Sequence, residues 1–457
     1  MNARLLLGVA LALVTSACAS TSPKEAYDAS SISIEDRLGK KVHWKQGTDE
    51  DQQVEQRVHA LLQQPINGDV AVQIALVNNP GLQATFEELR IAQADLVQAG
   101  LLKNPAFGVA VLFPVKQTED HHAITDIQLD VVGNFLDVFL IPARKRIAAA
   151  ALESAKLRVG SAAIMLAYDV ESAFYTAQGA EQILAMRRAV LEAGDAAVEV
   201  ARNQHDAGNI SDLDLANEES VYEQLRLDAA RAEAEVLGAR EALTRLMGVF
   251  GPDTEWKLAP KLPELPKTDP PLEHLESAAI ARRFDLAAIR EDMRSIAETI
   301  ALVKNGRWIA ANVGAGVERT HEGPIIAGPK GSIELPIFDQ KQAVIARLEG
   351  MLHQAKARET ELAISIRSEV RTARARVIFA RTLVERYVTV LVPLRQRVVE
   401  LSQQQYDAML LSVYQLLVAK QNEINAYREL IEAARDYWIA RADLDRATGG
   451  RMPETKG

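Results

Sequence analysis

A long heptad seam in the second half of the chain constrains the fold more than any other feature of the sequence. Apolar residues there recur in unbroken, alternating steps of three and four. They are Val370, Ala373, Val377, Ala380, Val384, Tyr387, Leu391, Leu394, Val398 and Leu401. Such spacing is typical of a helix that packs lengthwise against another helix. The helix is predicted over about 340–408 and ends at a turn, after which a second helical pattern returns.

A matching hairpin stands about 200 residues earlier in the chain. Its seam runs through Leu166, Val170, Ala173, Ala177, Ala180 and Leu184. This helix is predicted to begin near Ile141 and to stop at Gly208, and Ser211 can cap the returning helix. A shorter helix and two strands precede each long helix. The sequence therefore indicates an internal duplication, with repeats at 68–249 and 272–450.

One extra residue distinguishes the two long helices. Val170 and Asp206 are 36 positions apart, whereas Val370 and Asp407 are 37 apart. Pro393 lies inside the second helix, where a proline removes a backbone hydrogen bond and usually kinks the rod. We expect a bulge near Pro393 that absorbs the extra residue; the alternative is a tolerated kink without function.

The periodicity changes to alternation by two in the segment before each long helix, which predicts strands with one apolar face. The apolar positions of the first repeat are Phe107, Val109, Val111 and Phe113, then Ile127, Leu129 and Val131. In the second repeat, strands are predicted at Val313, Ala315 and Val317 and at Ile333, Leu335 and Ile337, with Gly-Pro loops between them. Four strands are too few to close a barrel in a bilayer, so a membrane role would require other copies of the chain.

The N-terminus has the pattern of a secreted protein. Residues 1–17 combine a charged start with a short apolar run, which is typical of a signal peptide. Cys18, the only cysteine, then occupies the position of a lipidated cysteine in a lipobox; the alternative is ordinary cleavage in Ala17-Cys18-Ala19. Residues 18–67 are interpreted as a tether and an arm with weak structure of its own. A proline-rich linker is predicted at 250–271 and a tail at 451–457.

Charge and motifs exclude several classes of function. The formal net charge of −10 argues against nucleic acid as a partner, since phosphate binding needs a basic face. No catalytic triad, Cys/His pair or phosphate-binding loop is present, so no enzyme and no cofactor are predicted. His121, His122 and His321 fall in predicted loops without metal-ligand spacing, so no metal site is predicted.

The order of these elements resembles that of the TolC family of outer-membrane efflux proteins over about residues 68–450. Matching segments are Asn79-Pro80-Gly81-Leu82 and its counterpart Arg283-Phe284-Asp285-Leu286, Leu335-Pro336-Ile337-Phe338-Asp339, both tip segments, and Asp436-Tyr437-Trp438 with Leu444. The resemblance implies a mainly α chain with a membrane β-barrel. Four strands per chain would complete a 12-stranded barrel in a homotrimer, and the helical hairpins would form an α-barrel in the periplasm.

The resemblance also implies a function and partners. The protein would be a passive exit duct, lipid-anchored in the outer membrane, that connects through a periplasmic adaptor to an inner-membrane pump. One alternative is a non-channel protein, namely a coiled-coil structural lipoprotein of the periplasm. The other is an outer-membrane duct for protein secretion, which would have the same fold. Conductance of purified trimer would separate channel from scaffold.

The two hairpin tips are the predicted functional sites. Adaptor docking is assigned to the small and apolar residues at the turns, namely Gly208, Ile210, Ser211, Leu410, Leu411 and Ser412; the alternative is that they only stabilise the turns. The pore constriction is assigned to Asp206, Asp214 and Asp407. The second tip departs from the family pattern, because Met409 and Leu410 stand where glycine is usual and Gln415 replaces an aspartate.

Overall fold

The computed structural model describes residues 21–112, 126–133, 135–269, 273–306, 311–319 and 324–451. The signal peptide at 1–17, Cys18, Phe113 and the three loop histidines therefore lie outside the described residues. The chain divides into two compact units. One comprises Met1–Ala29, Glu87–Arg158 and Asp285–Leu362, and the other comprises Ser30–Phe86, Val159–Phe284 and Ala363–Gly457. We call them the sheet unit and the hairpin unit.

Helices account for most of the structure, and they repeat in order. The first set is α1 (Lys24–Leu38), α2 (Asp49–Leu62), α3 (Gly68–Asn78), α4 (Pro80–Gly100), α5 (Ile141–Asp206) and α6 (Asp212–Met247). The second set is α7 (Leu275–Arg282), α8 (Phe284–Gly306), α9 (Gln342–Arg386), α10 (Val392–Asp407) and α11 (Val413–Ala447). Short 3₁₀ segments occupy Phe135–Leu140 and Gly251–Thr254, and a π-helix occupies Tyr387–Leu391. The duplicated helix–strand–strand–hairpin order is confirmed. Across the described residues, no helix is both long and apolar enough to span a bilayer.

The N-terminal arm has more structure than the sequence indicated. It contains α1 and α2, and Ile34, Leu38 and Trp44 are buried. The Trp44 ring stacks on Phe86 at 6.1 Å between centroids. The polar composition of this segment gave no sign of these helices, because a few buried apolar residues are enough to hold short helices in place.

Four antiparallel strands form one sheet in the sheet unit, in the order β1 (Ala106–Leu112), β2 (Asp126–Gly133), β3 (Ala311–Arg319) and β4 (Ile325–Ile333). The two repeats meet where β2 pairs with β3, with Leu129 opposite Val317. Within the described part of the chain, β1 and β4 each pair with one neighbour, so the sheet has two open edges.

The prediction for β4 was wrong. The strand spans Ile325–Ile333 and contains Gly328, Pro329 and Gly331, which we expected in loops, whereas Leu335 and Ile337 lie beyond it. Pro329 stands opposite Ala315. A proline is tolerated here because β4 is an edge strand of this chain and need not donate hydrogen bonds on both sides.

The predicted bulge in the second long helix is confirmed. The π-helix Tyr387–Leu391 separates α9 from α10 and lies two residues before Pro393. At its end the Val392 N–H donates to the Tyr387 carbonyl, which is a bond of the i to i+5 kind. A wide turn of this kind accommodates one residue more than an α-helical turn.

The bulge also corrects the predicted seam. Val370, Ala373, Val377, Ala380 and Val384 are buried as expected. Beyond the π-helix the buried residues are Val392 and Val399, whereas Leu394, Val398 and Leu401 are exposed by 55%, 39% and 42%. The buried seam thus moves by one residue, because the π-helix places each later residue at the angular position that its predecessor would have had. In α5, which has no such turn, Val170, Ala177, Leu184, Val198 and Ala201 are all buried.

The proline-rich linker is held against the hairpin unit through its carbonyl groups. Gln178 of α5 donates to the carbonyls of Ala259 and Lys261, each at 2.8 Å. Trp438 Nε1 of α11 donates to the Pro263 carbonyl at 3.0 Å, and Arg381 of α9 donates to the Pro266 carbonyl at 2.8 Å. Prolines keep this segment out of a helix, so its carbonyls are free to accept these bonds.

Candidate functional site

The first tip is a tight helix-ending turn. Gly208 has φ +75°, the left-handed conformation that glycine adopts without steric cost. The Gly208 N–H donates to the His205 carbonyl and the Asn209 N–H donates to the Gln204 carbonyl, both at 2.8 Å. Ser211 then caps α6, since the Asp214 N–H donates to Ser211 Oγ at 3.2 Å.

The second tip has the same geometry with different residues. Met409 occupies the left-handed position with φ +59°. Its N–H donates to the Tyr406 carbonyl, and the Leu410 N–H donates to the Gln405 carbonyl, both at 2.9 Å. Ser412 caps α11 with Gln415 in the position that Asp214 holds at the first tip. The two tips are therefore structurally equivalent, and Met409 is the counterpart of Gly208.

Apolar exposure is greatest at the second tip. Met409 is 94% exposed and Leu410 is 79% exposed. A side chain in the left-handed region costs roughly 1–2 kcal/mol, which glycine would avoid. Ile210 and Leu411, at equivalent positions, are only half-exposed. The strained and exposed residues favour a binding role at this tip, which stays a prediction.

The three predicted constriction aspartates differ in their surroundings. Asp206 and Asp407 end α5 and α10 at equivalent positions. Asp407 accepts a hydrogen bond from Gln403 Nε2 at 2.9 Å. Asp214 is engaged in the cap of α6, where hydrogen bonds from the Ser211 hydroxyl and backbone lower its pKa. Asp214 thus has a local structural role, and a role of the three residues in a constriction stays a prediction.

A histidine at the first tip was missed by the sequence analysis. His205 Nε2 lies 2.7 Å from the Asp212 carboxylate, and its Nδ1 lies 3.8 Å from Asp206. The hydrogen bond with Asp212 raises the pKa of His205. Only the turn geometry brings these residues together, since they are seven positions apart and lie on two different helices. The pair links the end of α5 to the start of α6.

The sheet presents two chemically distinct faces. On one face, apolar residues align in rows across the strands, with Phe107, Val131, Ala315 and Pro329 in one row and Val109, Leu129, Val317 and Ala327 in the next. Phe107 is 66% exposed and Val109 is 59% exposed, so this apolar face is open in the single chain. An apolar surface of this extent requires a lipid or protein neighbour.

The opposite face of the sheet carries most of the charged and polar residues, whereas Arg319 lies on the apolar face at the end of β3. Those on the opposite face are Asp126, Gln128, Asp130, Asn312, Glu318 and Lys330. Lys330 Nζ lies 3.6 Å from the Asp130 carboxylate, across β3. Gly316 makes this possible, because a Cβ there would lie 2.8 Å from Lys330 Cε. This face is suited to water. Among the described residues, no group of three or more His, Cys, Asp or Glu side chains could hold a metal ion.

Comparisons with known proteins agree with this architecture. No protein-family model matches the chain. The cobalt-zinc-cadmium resistance protein CzcC of Cupriavidus metallidurans is 25% identical over 309 residues, which cover 65% of this chain and 69% of CzcC. The Campylobacter jejuni outer-membrane channel CmeC matches with a TM-score of 0.73 and 15% identity, over 86% of this chain and 90% of the channel.

A structure of CusC, described as a transmembrane channel, matches with a TM-score of 0.68 and 15% identity, over 84% of this chain and 92% of CusC. At these identities the two solved structures show the fold. Both are described as channels. The doubled hairpins and the four-stranded sheet therefore form the fold of these outer-membrane channels, and the sequence is similar to that of the metal-resistance protein CzcC.

Proposed function

We propose that this chain is one subunit of a trimeric, passive exit duct in the outer membrane. The sheet carries this proposal. It has an exposed apolar face, a charged face and two open edges within the described residues. Unpaired backbone groups are not tolerated in hydrocarbon, so β1 of one copy would pair with β4 of the next. The apolar face would contact lipid, and the Asp130–Lys330 face would line a water-filled lumen.

The helical hairpins would extend the duct into the periplasm. The tips, formed by Gly208, Ile210 and Ser211 and by Leu410, Leu411 and Ser412, would dock a periplasmic adaptor. That adaptor would connect the duct to an inner-membrane pump, which supplies the energy. Asp206, Asp214 and Asp407 would place negative charge at the tip end of the path. Acylation of Cys18 would anchor the chain to lipid.

Divalent metal ions are the cargo that we favour. The basis is the relative that is 25% identical and is named for resistance to cobalt, zinc and cadmium. A passive duct needs no metal-binding cage, because conduction requires sites weak enough to release the ion. Small organic molecules are the second candidate, since the channel fold is shared with CmeC.

Two measurements test this function. Purified protein should form trimers that conduct ions across a planar bilayer. A strain lacking the gene should become sensitive to zinc, cobalt or cadmium, and the wild-type gene should restore resistance. A trimer without conductance would favour the structural lipoprotein. Conductance with unchanged metal tolerance but altered drug tolerance or protein secretion would reassign the cargo.

A charged substitution at a tip tests docking separately. Gly208→Asp or Leu411→Asp should abolish resistance while the trimer still assembles and conducts. Wild-type resistance in both variants would contradict adaptor docking at these residues.

A further inference from the structure

The polar face of the sheet, which carries Asp130 and Lys330, is crossed by a row of glycines. Gly108, Gly316 and Gly328 stand in register with Asp130, one from each of the other three strands. Side chains normally project from the plane of a sheet, so a row of glycines leaves a shallow trough across the strands. Within the four described strands, Asp130 is the only residue of this row that has a side chain.

Asp130 and Lys330 both lie in this trough. A Cβ on Gly108 would lie 2.8 Å from Asp130 Oδ2, and a Cβ on Gly316 would lie 2.8 Å from Lys330 Cε and 3.2 Å from its Cδ. Each side chain therefore occupies the space directly above a glycine. Lys330 belongs to β4, and its stem crosses β3 to bring Nζ to 3.6 Å from the Asp130 carboxylate on β2. The lysine thus runs along the sheet instead of projecting from it.

The charge of the polar face depends on where this lysine lies. On the described strands the face carries three acidic residues and one basic residue, so its formal charge is −2; they are Asp126, Asp130, Glu318 and Lys330. An ammonium group that lies beside a carboxylate has much of its field cancelled at close range. An extended lysine would instead place an uncompensated positive charge in front of the sheet.

We propose that Asp130 and Gly316 hold Lys330 against the wall of the lumen and thereby keep the duct selective for small cations. This inference rests on the proposed duct, whose lumen the polar face lines, and it assigns Asp130 and Gly316 as positioning residues for charge selectivity. An exposed ion pair usually contributes only about 0–1 kcal/mol. Here the other face of the sheet contacts lipid, and the lower effective dielectric constant strengthens the attraction.

The dimensions of the barrel show why the position of the lysine matters. Four strands from each of three copies, about 4.8 Å apart and tilted by about 40°, enclose a backbone radius of roughly 12 Å. In about 0.1 M salt, three unit charges at that distance change the cation concentration on the axis by less than about twofold. Three ammonium groups extended to about half that distance change it by roughly sevenfold. Release of Lys330 therefore has a larger effect than the loss of one charge from the wall.

The reversal potential of purified trimers in planar bilayers tests this inference, because a KCl gradient near 0.1 M reports the ratio of K⁺ to Cl⁻ permeability. Asp130→Asn and Glu318→Gln each remove one negative charge per chain. Glu318 lies two rows from Lys330, so only the first change releases the lysine. Asp130→Asn should lower the permeability ratio at least about threefold more than Glu318→Gln does. Asp130→Asn combined with Lys330→Gln keeps the formal charge of the wild type and should restore the wild-type ratio.

A second pair of variants changes the position of the lysine without changing any charge. Gly316→Val should lower the permeability ratio, because its side chain occupies the space in which Lys330 lies. Gly328→Val is the matched control and should leave the ratio unchanged. It adds the same side chain to the same row, where a Cβ would have no described atom within 4 Å.

The outcomes separate this inference from the proposed function. Conducting trimers with equal permeability ratios for Asp130→Asn and Glu318→Gln would overturn the role of Lys330 and leave the duct intact. Equal ratios for the two valine variants would overturn the role of Gly316. If a valine variant fails to assemble, the comparison of Asp130→Asn with Glu318→Gln decides. Wild-type protein without conductance would overturn the proposed function and this inference with it.

Discussion

Asp269 closes the linker onto the hairpin unit, and its removal gives the sharpest stability prediction. Its carboxylate accepts hydrogen bonds from Arg381 Nε at 2.7 Å and Nη2 at 3.0 Å, and from the Tyr437 hydroxyl at 2.6 Å. The Asp269 and Arg381 side chains are only 12% and 17% exposed. Arg381 also holds the Pro266 carbonyl, so this aspartate orients the group that binds the linker.

Asp269→Ala should loosen the linker strongly. Removing one partner of a buried ion pair typically costs about 3–5 kcal/mol, because the other charge loses its compensation. The pair is slightly exposed, and Arg381 keeps an ion pair with Glu385 at 3.4 Å. We therefore take the lower end, about 3 kcal/mol, which corresponds to a roughly 100-fold larger open fraction. Trypsin cleavage after Lys267 reports that fraction when cleavage is slower than reclosing.

The control is Asp436→Ala, which removes an ion pair with Arg435 at 2.8 Å from a side chain that is 57% exposed. Exposed pairs contribute about 0–1 kcal/mol, so cleavage after Lys267 should change less than about fivefold. Equal cleavage rates in the Asp269 and Asp436 variants would refute the reasoning.

The pH dependence of this contact follows from its pKa. Burial by itself would raise the pKa of Asp269, but hydrogen bonds from Arg381 and Tyr437 outweigh it and lower the pKa. The unfolded chain therefore binds the proton first as pH falls. Stabilisation by Asp269 is complete above its unfolded pKa of about 4 and is lost as pH drops through the lower folded value. The protection of Lys267 from trypsin should therefore not change with pH near neutrality.

Three further predictions concern other parts of the hairpins. Met409→Gly should slow amide exchange at the second tip, because glycine adopts φ +59° freely. The gain should be at most about 1 kcal/mol, since the greater backbone entropy of unfolded glycine offsets part of the relieved strain; faster exchange would argue against strain. Deletion of Thr389 should leave assembly and thermal stability nearly intact, because it removes the one extra residue of the π-helix. Deletion of Glu192 from the regular α5 should abolish assembly. Equal effects of the two deletions would refute the inference that the π-helix absorbs one residue. Burial, with a smaller contribution from Asp445, raises the pKa of Glu171 to about 7. The free energy of unfolding should therefore fall as pH rises from about 4.5 to 7. Glu171→Gln should flatten this pH dependence in thermal unfolding, and an unchanged pH dependence would contradict the role of Glu171.

The repeated helices were predictable because their packing is set by spacing alone. Alternating steps of three and four between Val370 and Val384 require one buried face, and that face is buried. For the residues that follow the π-helix in sequence, the same spacing predicted the wrong buried residues. Leu394 and Val398 continue the spacing in sequence. Because of the wide turn, however, Val392 and Val399 are buried in their place. The count of 37 against 36 positions indicated the bulge, yet it could not show on which side of Pro393 the register changed.

The sheet and the tips were predictable only in part. Alternation identified β1, β2 and β3, but β4 was displaced because Gly328, Pro329 and Gly331 have turn-forming preferences. Strand pairing with β3 overrides those preferences. At the second tip the sequence showed a missing glycine without showing its consequence, since only the backbone reveals that Met409 adopts φ +59°. Contacts across turns and repeats, such as those of His205 and Asp269, have no local sequence signal.

The π-helix also shows how a long helical rod accommodates a one-residue difference in length between two repeats. Helical pairs spread insertions of three or four residues along their length by local over- or underwinding. A single inserted residue cannot be spread in this way, because it turns every later side chain by about 100°. The extra residue is instead accommodated within the five residues of the π-helix, Tyr387–Leu391. The long helix of the first repeat is regular, so the one-residue difference between the repeats is confined to this single turn.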